Sequence, residues 1–385
     1  MRHFGYLSAA QVAALFERPP ERFDRGSGTD LLSVALGATL YMPADRPSLV
    51  ADITKQTAAG GTSVVVCLED AIADEQVGAA EDNLVDAFTA LHAESHAELP
   101  LLFVRVREAS QIPALVRRLG KAAHLLDGIV LPKFTAISGT EYLLTLEAAE
   151  REAGVSLLAM PVIESGAVLY AETRVDELTR LRALLHRDRR RILAVRIGAT
   201  DLCALYGLRR SPELSIYDIK VVSALIGDVV NVLGRTDGTG FTVSGPVWEY
   251  YGGHERIFKP QLRQSPFHQH DAMSLRGELV SRAIDGLIRE VQLDQANGLI
   301  GKTAIHPGHV AVVNALSVVS AEEYRDAQDL LAAGRASGVM PSGHRNKMNE
   351  IRPHLTWARR TMLRSRVFGV AADGVSFVDL LAASR

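Results

Sequence analysis

Cysteine is nearly missing from this chain: Cys67 and Cys203 are the two in 385 residues. They lie far apart, each inside or just after an apolar run. Neither a disulfide framework nor a structural zinc site can be built from them, and both read as buried thiols in a reducing compartment. Net charge is also missing. The chain has 42 basic and 45 acidic residues, a balance of -3, with 47% hydrophobic residues. That excludes a disordered chain and argues against a dedicated nucleic-acid binder. The longest stretch without Asp, Glu, Lys or Arg runs from Thr303 to Ala321, but His306, Pro307, His309 and Asn314 interrupt it, so no membrane span is expected. Met1 to Tyr6 carries Arg2 and leads into a polar segment, so no targeting signal is expected either. The chain reads as soluble and cytoplasmic. No G-x-G-x-x-G occurs, which weighs against an open doubly wound sheet and leaves that fold as the alternative.

What is present is a repeat. Short apolar runs rich in β-branched residues alternate with longer segments of helical periodicity. Eight runs can be counted: Gly37 to Pro43, Ser63 to Glu69, Leu101 to Arg107, Gly128 to Pro132, Leu157 to Ile163, Ile192 to Thr200, Gly240 to Val247 and Leu299 to His306. Near-continuous apolar character suits strands buried on both faces of a parallel sheet. Eight of them predict an α/β fold, a (β/α)8 TIM barrel. Helices are expected at Asp74 to His92, at Glu141 to Ala153 with Leu144 and Leu146 on the apolar side, at Ser215 to Leu233 and at Met273 to Ala296. Asn297 and Gly298 fit the turn out of the last of these. The expected organisation is a leader over 1–30, a barrel over 31–320 with a long insertion at 248–272 after strand seven, and a helical extension over 321–385.

In such a barrel the functional groups sit where strands end. Glu69 and Asp70 end strand two, Arg105 and Arg107 end strand three, and Lys133 follows strand four. Glu164 follows strand five, Asp201 strand six and His306 strand eight. Polar groups at one end of six strands are the argument for an enzyme. Glu164 and Asp201 weigh most, as lone carboxylates after neighbouring apolar strands. Two carboxylates facing one cavity repel unless a positive charge lies between them, and a hard divalent cation resolves that repulsion. The blander reading is that each caps the helix after it. Arg105 and Lys133 favour the functional reading, because cations beside a metal site suit a polycarboxylate or keto-acid substrate.

Val65-Val66-Cys67-Leu68-Glu69-Asp70-Ala71-Ile72, Val104-Arg105, Gly128-Ile129-Val130-Leu131-Pro132-Lys133, Val162-Ile163-Glu164, Gly198-Ala199-Thr200-Asp201-Leu202 and Gly301-Lys302-Thr303-Ala304-Ile305-His306-Pro307 occur in series. Over residues 35–320 this series resembles the citrate lyase β-subunit-like group of the HpcH/HpaI aldolases. Ser244 to Tyr251 and Asp285 to Glu290 look more narrowly like the carbon-carbon bond lyases of the TIM-barrel fold. The resemblance implies Mg²⁺ held by Glu164 and Asp201. It implies catalytic roles for Arg105, Glu69, Asp70 and Lys133, and a substrate bound by Arg105, Arg107, Pro246 and Trp248. It implies a homo-oligomer, commonly a trimer, and a small anionic substrate, including CoA esters and phosphorylated compounds.

The implied function is an Mg²⁺-dependent carbon-carbon lyase acting on a keto acid, hydroxy acid or acyl-CoA ester by retro-aldol or retro-Claisen chemistry. Two alternatives stay open: a Claisen-condensing or thioester-hydrolysing enzyme on the same site, and a non-catalytic ligand-binding component of a biosynthetic complex. The group usually carries Arg-Ser before strand one and Asn two residues after the strand-three Arg; here Val34-Ala35-Leu36 and Arg107 stand there. The extra Arg points to a more anionic substrate or a changed CoA site. Asp379 is a weak counterpart of an Asp that some relatives take from a neighbouring subunit. The insertion, with Glu249, Tyr250, Tyr251, His254, Arg256 and Lys259, reads as a lid over the mouth or as an interface. His344 to Arg366 holds seven basic residues and one acidic, which reads as an interface or solvated face.

Overall fold

The computed structural model describes residues 1–94, 98–251, 282–334, 338–343 and 346–384. The eight apolar runs form eight parallel strands: β1 (Ala38–Pro43), β2 (Ser63–Cys67), β3 (Leu101–Arg105), β4 (Leu126–Leu131), β5 (Leu158–Ile163), β6 (Val195–Ile197), β7 (Val243–Ser244) and β8 (Lys302–Ala304). They pair in sequence order, with β8 also against β1. Backbone hydrogen bonds from Ile300 to Val243, from Gly245 to Gly301 and from Thr303 to Gly245 join the seventh strand to the eighth. The sheet is therefore a TIM barrel. At that seam Gly301 has φ +70°, and a Cβ there would come within 2.4 Å of the Gly37 carbonyl oxygen, so only glycine fits.

Strand composition explains the burial. Val64, Val65 and Val66 are fully buried, because helices cover one face while side chains from across the lumen cover the other. The helices α1 (Leu49–Ala58), α2 (Val77–Ala93), α3 (Gln111–Leu119), α4 (Ser138–Ala153), α5 (Ala171–Arg187), α6 (Lys220–Leu233), α7 (Arg282–Ala296) and α8 (Pro307–Ser317) alternate with them. Leu146 is buried on α4 as expected, but Leu144 is 57% exposed and Leu143 takes the core position. One residue is about 100° of helix, so a neighbour of the apolar stripe turns to solvent. Helix α6 starts later than the periodicity suggested. A 3-10 turn at Ile216–Asp218, closed by a Ser215–Asp218 capping box, precedes it. The start expected at Met273 lies outside the described residues.

The leader over residues 1–30 packs onto the barrel. Phe16–Arg18 pairs antiparallel with Val370–Ala371, and Phe23, Leu32 and Leu36 join Val65, Leu101 and Phe103 of the lumen in one apolar cluster with Phe368. Chain ends thus plug the barrel floor, opposite the strand ends that carry the polar groups. After α8 the chain forms α9 (Ala321–Ala333), a short hairpin of Val339–Pro341 with Met348–Glu350, and α10 (Ile351–Phe368). Among the described residues no helix is long and apolar enough to cross a membrane.

His3 is part of the plug. It is fully buried, its Nε2 lies 3.0 Å from the Ala35 carbonyl oxygen and its ring centroid lies 4.3 Å from that of Phe368. Burial pushes its pKa down to about 4 from 6.5, so the folded chain keeps it neutral while the unfolded chain protonates it. Between those values the unfolded state binds more protons, and stability falls as pH drops from about 6.5 towards 4. The contribution of His3 is at most about 3 kcal/mol. Urea denaturation at pH 7 and pH 5 is expected to show this loss, and His3→Gln to reduce it.

Candidate active site

Four strand ends converge on one buried carboxylate. Glu164 follows β5 directly, and its Oε1 accepts hydrogen bonds from Arg105 Nη2 at 3.0 Å and from the Lys133 backbone N–H at 2.8 Å. Lys133 has φ +46°, a left-handed conformation costing a side-chain-bearing residue roughly 1–2 kcal/mol. That turn brings its N–H to Glu164. The other oxygen, Oε2, is buried with no hydrogen-bond partner among the described residues. A Cβ on Gly198, just after β6, would lie 2.0 Å from it. The strand-six glycine therefore makes the room that Glu164 occupies. Glu164 is not used as a cap for the short helix after it, whose N-cap is Ser165.

Glu69 and Asp70 sit on the other side of Arg105. Glu69 Oε2 lies 2.5 Å from Arg105 Nη2, and its Oε1 lies 3.0 Å from Lys133 Nζ. Asp70 is more exposed and lies 3.4 Å from the same Nζ. Burial lifts the Glu164 carboxyl to about 8, Arg105 opposes that lift and Asp201 adds to it. Burial likewise raises Glu69 against the pull of Arg105 and Lys133. Asp70 ends below the ordinary carboxylate range, because the hydrogen bond with Glu69 and the charges of Lys133 and Arg105 outweigh its burial. Lys133 is pushed up to about 12, first by its bond to Glu69, and stays charged. Asp201, in the first turn of the helix Ala199–Ala204, is half-buried and close enough to act electrostatically on both Glu164 and Lys133.

The expected residues divide accordingly. Arg105, Glu69, Asp70, Lys133, Glu164 and Asp201 share one electrostatic cluster. Arg107 does not join it: its guanidinium donates to the Leu68 and Ile72 carbonyls and pairs with Asp74, tying down the loop after β2. Strand alternation would keep residues 105 and 107 on one face, but the strand ends at Arg105 and the chain bends at Arg107, which takes its side chain away from the lumen. Pro246 and Trp248, put at the substrate by resemblance, are buried. The indole is 1% exposed, packs where Gly286 lacks a side chain, and has the Arg210 guanidinium over it at 4.9 Å. His306 caps α8 by accepting from the Gly308 N–H. Lys302 is buried between Glu290 (2.9 Å) and Asp294 (2.7 Å). Asp379 caps its own helix through Ser376. Of the insertion, Glu249, Tyr250 and Tyr251 are described, and the residues from 252 to 281 lie outside the described residues.

Among the described residues no group of three or more His, Cys, Asp or Glu gathers for a metal. The pair Glu164 and Asp201 nevertheless fits Mg²⁺. Mg²⁺ usually takes one or two protein carboxylates and fills its octahedron with water and substrate. A buried carboxylate oxygen without a donor among the described residues, on a side chain for which Gly198 makes room, has the chemistry such an ion takes as a ligand.

The family model described as the C-C bond lyase of the TIM-barrel fold matches residues 30–370. The chain belongs to this family. Among solved structures, a citrate lyase from Burkholderia xenovorans LB400 superposes with TM-score 0.62 at 16% identity, covering 90% of this chain and 96% of that one. CitE from Mycobacterium tuberculosis, in complex with magnesium, acetoacetate and coenzyme A, gives TM-score 0.53 at 20% identity over 89% and 99%. Haloferax volcanii malate synthase gives 0.51 at 15% identity over 78% and 77%. No curated protein matches the sequence. These likenesses show that the carbon-carbon bond lyase family shares its barrel with those enzymes.

Arg196, Tyr41 and Gly198 are site-proximal residues that strand counting passed over. An arginine inside the apolar run Ile192 to Thr200 was the available signal. The geometry predicts that Gly198→Ala drives the Glu164 carboxylate from its position. Titration calorimetry is expected to show Mg²⁺ affinity lowered by about tenfold or more, with an unchanged far-UV circular dichroism spectrum.

Proposed function

We propose that this protein is an Mg²⁺-dependent carbon-carbon lyase acting on a small anionic keto acid, hydroxy acid or acyl-CoA ester, with Glu164 and Asp201 as metal ligands. The observation that carries this reading is the bare, buried Oε2 of Glu164 beside the guanidinium of Arg105. When bound, the cation supplies positive charge where negative charge develops on a carbonyl oxygen during cleavage.

The protein's own groups do the rest. Arg105 binds the substrate carboxylate or carbonyl; its Nε is a buried donor with no acceptor among the described residues. Glu69 positions Arg105 and Lys133 by bridging them, so two cations are held apart at fixed places before substrate arrives. Lys133, half-exposed at the mouth and firmly protonated, draws in an anionic group and does not act as a base. Asp70 stays ionised and orients Lys133.

The same site also suits condensation. The CitE structure holds coenzyme A with magnesium, and another likeness is a malate synthase, which supports an acyl-CoA substrate and a reaction running in either direction. The test is a screen of oxaloacetate and of citramalyl and malyl thioesters, with and without Mg²⁺. Turnover is expected to vanish with chelator, return with Mg²⁺, and fall by roughly a hundredfold or more in Glu164→Gln. Turnover indifferent to both metal and substitution would contradict the reading.

A further inference from the structure

Arg196, on β6, is 1% exposed and points into the lumen. Its guanidinium donates to Thr39 Oγ1 at 3.3 Å and to Thr303 Oγ1 at 2.6 Å, and touches the Met160 sulfur at 3.8 Å. The Nε has no partner among the described residues. Tyr41 lies over it, ring centroid 5.4 Å from the guanidinium carbon. Among the described residues no carboxylate pairs with it. A guanidinium stays protonated even when buried, and an uncompensated buried charge costs several kcal/mol. Two threonines and a thioether satisfy some of its hydrogens, but they bring no negative charge.

The position of this charge matters. Arg196 stands two residues before Gly198, whose missing side chain admits Glu164. It acts electrostatically against Arg105, and Tyr41 senses Arg196, Arg105 and Glu164 together. Arg196 therefore forms the floor of the same electrostatic cluster. Above it, Arg105 and Lys133 with a divalent cation would balance Glu69, Asp70, Glu164 and Asp201, leaving Arg196, among the described residues of the cluster, as one positive charge in excess.

We propose that Arg196 is a specificity-determining cation whose counter-charge is the substrate itself; because its attraction doubles for a doubly charged ligand, the site selects dianionic over monoanionic substrates. The inference rests on the reading that Glu164 and Asp201 hold a divalent cation. Arg196 does not touch the substrate. It acts through the Tyr41 layer, across an interior where charges are weakly screened. A merely structural Arg196, tying β6 to β1 and β8 through Thr39 and Thr303, would have a different signature.

Titration calorimetry on the full chain separates the two, using Mg²⁺ alone, then oxalate and acetate in the presence of Mg²⁺. Arg196→Met removes the charge and keeps the bulk. It is expected to weaken oxalate about tenfold, a change of the size one charge makes at intermediate permittivity, to weaken acetate less, and to leave Mg²⁺ binding unchanged or tighter, because a repelling cation is gone. Its thermal midpoint is expected to hold or rise. Arg196→Lys, which keeps the charge, is expected to retain the oxalate preference. Should the Met variant not fold, Arg196→Gln is read by the same ratios. Equal oxalate affinity in wild type and variant would overturn the inference, as would parallel loss of Mg²⁺, oxalate and acetate binding. Wild type that binds oxalate with no dependence on Mg²⁺ would instead overturn the metal reading beneath it.

Discussion

A carboxylate buried with one oxygen satisfied and the other bare is the constraint around which this barrel is arranged. Glu164 Oε1 receives two donors, one a guanidinium and one a backbone N–H delivered by a left-handed lysine. Its Oε2 receives none among the described residues. Water-exposed carboxylates tolerate such asymmetry at no cost, but a buried one must either take up a proton or find a cation. Three separate strands contribute to holding it there: β3 with Arg105, β4 with the turn at Lys133, and β6 with Gly198. A parallel barrel brings those strand ends within reach of one another, which an open sheet would do only for immediate neighbours.

A second buried network supports the opposite arc. Lys302 on β8 lies between Glu290 and Asp294 of α7, Glu290 also pairs with Arg210, and Arg210 pairs with Glu249 and donates to the Val247 carbonyl. Tyr217 donates to Asp294 at 2.8 Å. These contacts fix the neck of the insertion to the seam between β7 and β8. Their partners are complete, so the network carries shape, whereas the Glu164 cluster leaves atoms open for a ligand.

The sequence made the barrel legible because a strand buried on two faces is apolar without interruption, and Ser63 to Cys67 or Leu158 to Ile163 has no other reading once eight such runs recur. It also made the strand-end residues legible, since Glu164 and Asp201 are the first charges after their strands. It did not show which charges turn inward. Arg105 and Arg107 are indistinguishable as letters and alternation would put both on one face; only the bend after the strand end at Arg105 separates a site residue from a loop tie. The resemblance puts Trp248 at the substrate; what no letter shows is that the absent side chain of Gly286 gives the indole room to pack almost fully buried. Gly198 and the backbone N–H of Lys133 act through a space and a turn, neither of which leaves a chemical signature in sequence.

Whether Glu164 and Asp201 share one divalent cation can be read from anomalous X-ray scattering of crystals saturated with Mn²⁺. One strong peak is expected between the two carboxylates, about 2.0–2.3 Å from Glu164 Oε2, with water completing the coordination. A peak at some other place, or none while both carboxylates remain well ordered, would contradict it.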